Sequence, residues 1–305
     1  MTRPFRFALQ ARVLNDHETV VATANRAESL GYAELYSYDH IGAVDPFVPL
    51  VVAAGATATL RVGTLVLNNE LHHPALLART AATVDRLTGG RLVLGIGAGY
   101  AQAEHDAIGL PLRAPGPRVA RLEESLVAIR ALLDDGAVTM AGEHLTLAID
   151  DLGVRPLQAH VPVLIGGHGR RMVELAASHA DIFQFTGLTH GPGGTIRPGG
   201  FDLAAVAERA EWLADGSGDR ADDIERSILV QHTDVGDNAA GHVEELAGRF
   251  DLSPETLRES PFVLVGSVPE VIDKLEGLRA QLGVSHVVVR DAEGFAPIVA
   301  ALSGR

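Results

Sequence analysis

Short apolar runs alternate with amphipathic stretches almost from end to end of this chain. Phe5–Gln10, Glu34–Tyr38, Val62–Leu67, Leu92–Ile96, Val163–Ile165, Ile182–Phe185, Ser227–Gln231 and His286–Val289 read as strands, bounded by turn residues. Apolar residues at helical spacing predict helices over His17–Leu30, Pro46–Ala58, Pro74–Leu87, Arg118–Leu133, Arg170–His179, Leu203–Ala214, Ala239–Phe250, Pro269–Leu282 and Ala296–Leu302. Gly31 stops the first helix, and Pro74 opens another in the turn where a missing N–H costs nothing. Strict alternation favours a parallel sheet, and eight strand–helix units favour closure. The expected fold is a (β/α)8 TIM barrel forming one domain over residues 1–305. Two stretches break the rhythm and predict insertions after strands 4 and 6. One is Tyr100–Arg118 with Ala137–His160, and the other is Thr186–Gly200. Long loops at strand carboxyl ends suit a lid, although a plain surface excursion has the same signature.

The densest signal is Thr88–Tyr100. Leu92–Ile96 is apolar on both faces, as a parallel strand demands, and Gly97, Ala98 and Gly99 then strip its carboxyl end of side chains. Exposed backbone there can approach a flat or anionic ligand, and barrel sites lie at that edge. The spacing does not complete a dinucleotide G-x-G-x-x-G: the third glycine would fall at Tyr100 or Gln102. A second glycine stretch, Gly166-Gly167-His168-Gly169-Arg170-Arg171, runs into a helix start. Free N–H groups, the positive helix terminus and the Arg170 charge together read as a phosphate site; a glycine turn with solvated arginines is the structural alternative.

Composition narrows the partners. With 47% hydrophobic residues the chain can bury a large core, and its net charge of −14 argues against nucleic acid and anionic membranes. No run approaches the roughly 18 apolar residues of a membrane span, and Met1–Phe5 leads into a strand pattern without a signal-peptide core. The expectation is a cytoplasmic protein acting on a small molecule. Cysteine is absent, which excludes thiolate metal sites.

If the barrel closes, one mouth collects Gln10, Asp39-His40, Asn68-Asn69, Gly97–Tyr100, Gly166–Arg170, Thr186, Gln231-His232 and Arg290-Asp291. Asp39-His40 suits a proton relay or substrate orientation, with an N-cap aspartate beside a surface histidine as the alternative. Neither His72-His73 nor Glu104-His105-Asp106 has the spacing of a zincin helix, and no metal is expected. No serine sits in G-x-S-x-G, and the single lysine, Lys274, falls in a predicted helix. Serine hydrolases and Schiff-base lyases are therefore disfavoured.

Taken in order, these segments resemble the bacterial luciferase-like monooxygenase superfamily, in its branch of probable coenzyme F420-dependent oxidoreductases from actinobacteria. The resemblance is carried by Ala27–Tyr32 with Tyr38–His40, Arg61–Asn68, Thr88–Tyr100, Arg121–Leu126, Val161–Gly167, Leu264–Ser267 and Leu282–Val289. It implies a barrel whose mouth holds a deazaflavin (F420), or alternatively FMN. It also implies a homodimer, expected through Pro46–Ala58 and Pro74–Leu87. Such proteins commonly carry a bulge with a non-prolyl cis peptide behind the ring, and the matching bond is Leu65–Val66. Asp39, His40 and Asn68 fall where relatives contact ring or substrate, with His40 and Asp39 as the catalytic pair. Leu65, Val66, Asn68, Gly97, Ala98, Gly99 and Tyr100 would line the ring, and Gly166, Gly167, His168, Gly169 and Arg170 would hold the phosphate. Some deazaflavin dehydrogenases place a glutamate directly after the glycine strand. Here that position is Tyr100 and the nearest acid is Glu104, which leaves His40 as the proton donor. The implied activity is hydride transfer between F420 and an organic substrate. An FMN monooxygenase and a flavin-binding protein without turnover are the alternatives, the last disfavoured by Asp39-His40.

Overall fold

The structure, a computed structural model, describes residues 3–190, 196–197, 199–237 and 241–305. Eight parallel strands form its centre: β1 (Arg6–Gln10), β2 (Glu34–Ser37), β3 (Arg61–Thr64), β4 (Leu92–Gly97), β5 (Val163–Gly167), β6 (Ile182–Phe185), β7 (Glu225–Leu229) and β8 (Val284–Val289). Each pairs in parallel with its sequence neighbour, β8 pairs with β1, and the sheet closes. This is the expected (β/α)8 barrel.

Helices cover the outside: α1 (His17–Ser29), α2 (Val48–Ala56), α3 (Pro74–Leu87), α4 (Gln102–Ile108), α5 (Pro115–Asp134), α6 (Arg170–His179), α7 (Leu203–Ser217), α8 (His242–Phe250), α9 (Pro254–Glu259), α10 (Val268–Leu282) and α11 (Ala296–Leu302). Their starts follow local chemistry. Asp16 accepts the Thr19 N–H at 2.8 Å to begin α1, and Ser267 and Glu270 form a reciprocal capping box on α10.

Several expectations change in detail. The strand expected over Val62–Leu67 is broken: Leu65–Val66 is a cis peptide, and pairing resumes at Leu67–Asn68 against β4. The insertion after β4 contains α4 and an antiparallel hairpin, Val138–Ala141 with Thr146–Ile149, whose half-exposed strands carry too weak an alternation to read. A third insertion follows β7: His232–Val235 pairs in parallel with Val263–Gly266, with α8 and α9 between them. The expected helix start at Ala239 and the Gly191–Gly194 stretch of the second insertion lie outside the described residues.

Alternation along the strands sets what faces inward. Ala8, Tyr36, Leu65, Val93, Leu164, Ile182 and Val288 pack together inside the barrel. Below them, at the strand starts, Arg6 bridges Glu34 (2.8 Å) and Glu225, and the Tyr36 hydroxyl donates to Glu34 at 2.6 Å. Burial alone would raise the Glu34 pKa, but His286 and Arg6 outweigh it and hold the carboxyl well below its ordinary range. The bottom is thus closed by paired charge. Further along the same inward register, by two residues for Gln10, Gly166, Gln231 and Arg290 and by four for Gly97, the strands deliver these residues to the open end.

Candidate active site

The cis bond sits at the floor of the mouth. Leu65 O accepts the Gln10 amide N–H at 2.9 Å, and Val66 lies among the glycines of β4 and β5. A Cβ on Gly97 would lie 3.0 Å from Val66 Cγ2, and one on Gly166 3.8 Å from Val66 Cγ1. These glycines leave a floor of backbone and one valine, on which a flat ring can rest. The other glycines serve packing. A Cβ at Gly95 would stand 1.8 Å from Thr64 O, so the glycine admits the bent β3 backbone. Gly99 has φ +78°, and a Cβ there would meet Asn68 Oδ1 at 2.0 Å.

On one wall stands His40. Its Nδ1 lies 2.6 Å from Glu104 Oε1, and its Nε2 shares a 3.2 Å hydrogen bond with the Tyr100 hydroxyl. Glu104 Oε2 also accepts the Ile41 N–H, so both carboxylate oxygens are held. Because the carboxylate accepts, Nδ1 is the nitrogen that donates to Glu104, and Nε2 is the one left facing the Tyr100 hydroxyl. Desolvation raises the Tyr100 pKa, with the Glu104 charge adding to it, so the phenol stays protonated at neutral pH.

Asp39 does different work. Its Oδ2 accepts the Asn68 N–H (3.0 Å) and pairs with His72 Nε2 (2.8 Å), which ties β2 to the segment after the cis bond. Asn68 in turn meets His105 Nε2 at 3.1 Å and accepts the Glu70 N–H at 3.0 Å. Of the histidines considered as metal ligands in the sequence, His72 and His105 are thus spent on structure, and His73 lies exposed at the start of α3. Asp39 ties this wall together rather than touching His40, so the two residues of the expected pair are held in separate networks.

Opposite lies the α6 terminus. Gly169 is its N-cap, with no side-chain cap and no acid in the first turn, and a Cβ at Gly169 would meet nothing within 4 Å. Gly169 and Arg170 are exposed, so the uncapped start of α6 is accessible, as an anion requires. The neighbours of Gly169 in the loop are placed differently from the sequence reading. Gly167 is glycine because a Cβ would press on Met172 Cβ at 2.9 Å, and the His168 ring packs against Gly200. Arg170 turns outward: it pairs with Glu174 at 2.8 Å, lies 5.7 Å from the Trp212 ring and is 69% exposed. A cofactor phosphate would meet main-chain donors here, with Arg170 contributing at a distance.

The residues present fit a tricyclic cofactor with a phosphate: a glycine-cleared floor, a flanking proton carrier and an open helix terminus share one barrel mouth. Sequence reasoning missed Glu104 as the partner of His40, and left Gln10, Gln231 and Arg290 without roles. Only the ring of strand exits pointed to them.

Residues 4–228 match the Luciferase-like monooxygenase family model, and the chain belongs to that family. Among curated relatives, a 5,10-methylenetetrahydromethanopterin reductase of Methanolobus tindarius is 31% identical over 158 residues, 52% of this chain and 47% of that protein. An uncharacterized protein of Mycobacterium tuberculosis is 34% identical over 139 residues, covering 46% and 48%. The chain thus matches about half the length of these relatives. A coenzyme F420-dependent tetrahydromethanopterin reductase from Methanopyrus kandleri superposes over 99% of this chain and 98% of its own, at 19% identity and TM-score 0.76. A long-chain alkane monooxygenase does so over 99% and 92%, at 14% identity and TM-score 0.78. Among the described residues no helix is long and apolar enough to cross a membrane.

Proposed function

We propose that this protein is an F420-dependent oxidoreductase acting on a small organic substrate at the barrel mouth. The observation that carries this reading is the His40–Glu104 pair, 2.6 Å apart beside the glycine floor. A proton carrier there matches a reaction in which hydride and proton move separately. The relatives whose names state a reductase, and the neighbours whose names state F420, support the choice of cofactor.

A bound deazaflavin supplies hydride donation and acceptance. The chain supplies the rest. Gly97 and Gly166 would let the ring lie close to backbone, with Val66 behind it. Leu65, Asn68, Ala98, Gly99 and Tyr100 would shape the edge, and the first N–H groups of α6 would take the phosphate. In substrate reduction, Nε2–H of protonated His40 gives its proton to the substrate atom that has gained charge, and the Glu104 carboxylate stabilises the imidazolium beforehand. In oxidation, neutral Nε2 takes the proton. Glu104 also fixes the ring's tautomer, a role separate from the transfer itself.

FMN is the second reading, because the same floor and terminus accept its ring and phosphate, and monooxygenases share the fold. We further propose a homodimer through α2 and α3, where Val48, Leu76 and Leu87 remain exposed. The test is anaerobic turnover of reduced F420 against a panel of ketones, enones and imines. Wild-type oxidation of the deazaflavin that needs an acceptor and fails in His40→Ala supports the reading; turnover by reduced FMN and oxygen alone replaces it with the monooxygenase.

A further inference from the structure

We infer that the mouth takes a substrate bearing one organic oxyanion, a carboxylate or sulfonate, and that Arg290 and Arg12 bind it. This rests on reading the mouth as the substrate site. Three features of the mouth support it.

First, Arg290 is a half-buried guanidinium whose partners are neutral. Its Nε donates to Gln10 Oε1 at 2.8 Å and its Nη1 to Gln231 Oε1 at 3.1 Å. No carboxylate among the described residues lies within ion-pair distance of it. Six arginines elsewhere, Arg6, Arg26, Arg113, Arg121, Arg155 and Arg258, meet carboxylates. Arg91, Arg209, Arg220 and Arg226 have neutral partners like Arg290, but theirs include main-chain carbonyls, whereas the two side-chain amides on Arg290 leave N–H groups toward a cavity. Burial, with the Arg12 charge adding to it, pushes the Arg290 pKa down to about 10, so the group is charged yet poorly compensated at neutral pH.

Second, Arg12 joins it. The two arginines line one cavity of about 240 Å³ with Gln231, His232, Thr233 and Asp291. The Arg12 side chain makes no hydrogen bond or ion pair among the described residues. The other titratable groups do not cancel the field. Burial lowers the His232 pKa, which leaves it neutral, and exposed Asp291, which accepts the Gly294 N–H at 3.0 Å, offsets only one of the two arginine charges. The Tyr100 phenol also faces Arg290 and is protonated.

Third, the network fixes Arg290 relative to the reacting centre. The Gln10 amide oxygen accepts from Arg290, so its nitrogen must donate, and it does so to Leu65 O of the cis bond at 2.9 Å. One glutamine thus spans from the floor of the mouth to the guanidinium. An anion on the remaining guanidinium N–H groups is held at a set distance from that floor, on the side where His40 and Tyr100 stand. A guanidinium suits this task because its planar fork binds carboxylate and sulfonate oxygens in pairs.

The experiment is calorimetry on the apo-protein at fixed ionic strength with benzoate, benzenesulfonate and hexanoate against neutral benzamide and hexanamide. F420 and FMN binding are measured on the same variants. Wild type should bind the anions about tenfold or more tightly than the amides, the usual size for charge-assisted hydrogen bonds. Arg290→Gln should abolish that preference. Arg12→Gln breaks no contact, so it keeps the fold, and should reduce the preference severalfold with cofactor affinity unchanged. Equal binding of anions and amides, absence of anion binding, or a preference that survives both substitutions overturns the inference. So does a loss of F420 affinity with the benzoate preference intact, since the anion would then be the cofactor's own. A protein that binds benzoate through Arg290 but neither F420 nor FMN refutes the cofactor reading and leaves this one standing.

Discussion

His40 and Glu104 meet at 2.6 Å across 64 residues of chain. The contact forms because β2 delivers His40 to the mouth while α4, just after the glycine strand, folds back over the same edge. The imidazole is thereby given a fixed tautomer and a carboxylate partner, which the proposed proton transfer requires and a lone surface histidine would lack.

His40→Ala should lower turnover by about a hundredfold or more, the usual contribution of a positioned acid or base, with F420 affinity changed little. Glu104→Gln keeps a hydrogen-bond acceptor but removes the charge, so it should lower turnover less and move the pH–rate profile. Steady-state rates across pH beside equilibrium binding check both. An unchanged profile in Glu104→Gln contradicts the coupling.

At the helix terminus, three substitutions separate main-chain from side-chain recognition. Gly169→Val places its side chain in open space, so the protein should fold normally and lose most cofactor affinity by blocking the first N–H groups of α6. Gly167→Val should instead destabilise, because its Cβ presses on Met172. Arg170→Ala removes an exposed pair with Glu174 and should change cofactor binding by less than about 1 kcal/mol. Thermal melts with fluorescence titrations distinguish the three; cofactor loss in Arg170→Ala alone would move the phosphate onto its side chain.

Acid stability should report on Glu28. Its carboxylate accepts the N–H groups of Ala58, Thr59 and Leu60 at 2.7–3.2 Å, and these bonds, led by Thr59, pull its pKa down to about 2. A lowered acid pKa means its contribution is complete above the unfolded value near 4.5 and fades as pH falls toward 2. Glu28→Gln should therefore cost roughly 1 kcal/mol at pH 7, a modest figure because the group is exposed. The gap from wild type should shrink in denaturation at pH 3. A gap independent of pH would show that the charge is not what is bound.

The exposed apolar residues of α2 and α3 give the assembly prediction. Val48→Glu with Leu76→Glu should turn a dimer into a monomer by light scattering. A wild type that is already monomeric at micromolar concentration refutes the interface.

Much of this was legible in the sequence. Strand runs such as Leu92–Ile96 are apolar on both faces only because helices cover a closed barrel, so periodicity alone reached the fold. The strand exits, and through the family resemblance the cis bond at Leu65–Val66, followed from order along the chain. Pairings between distant exits did not. Asp39 reads as a catalytic neighbour of His40 until the fold shows it facing Asn68 and His72. Arg170 reads as a phosphate ligand until helical spacing turns it toward Glu174. The short hairpin after α5 and the parallel pair after β7 escaped because their strands are brief and, apart from the buried Val263–Gly266, half-exposed.

The central claim is that this mouth holds a deazaflavin by its glycine floor and the α6 terminus. Equilibrium binding of F420 and of FMN, followed by fluorescence quenching on wild type and Gly169→Val, tests it most directly. One F420 per chain, bound more tightly than FMN and lost in Gly169→Val while the variant melts like wild type, is the predicted result. Binding of neither cofactor to the wild type, or full affinity in Gly169→Val, would contradict it.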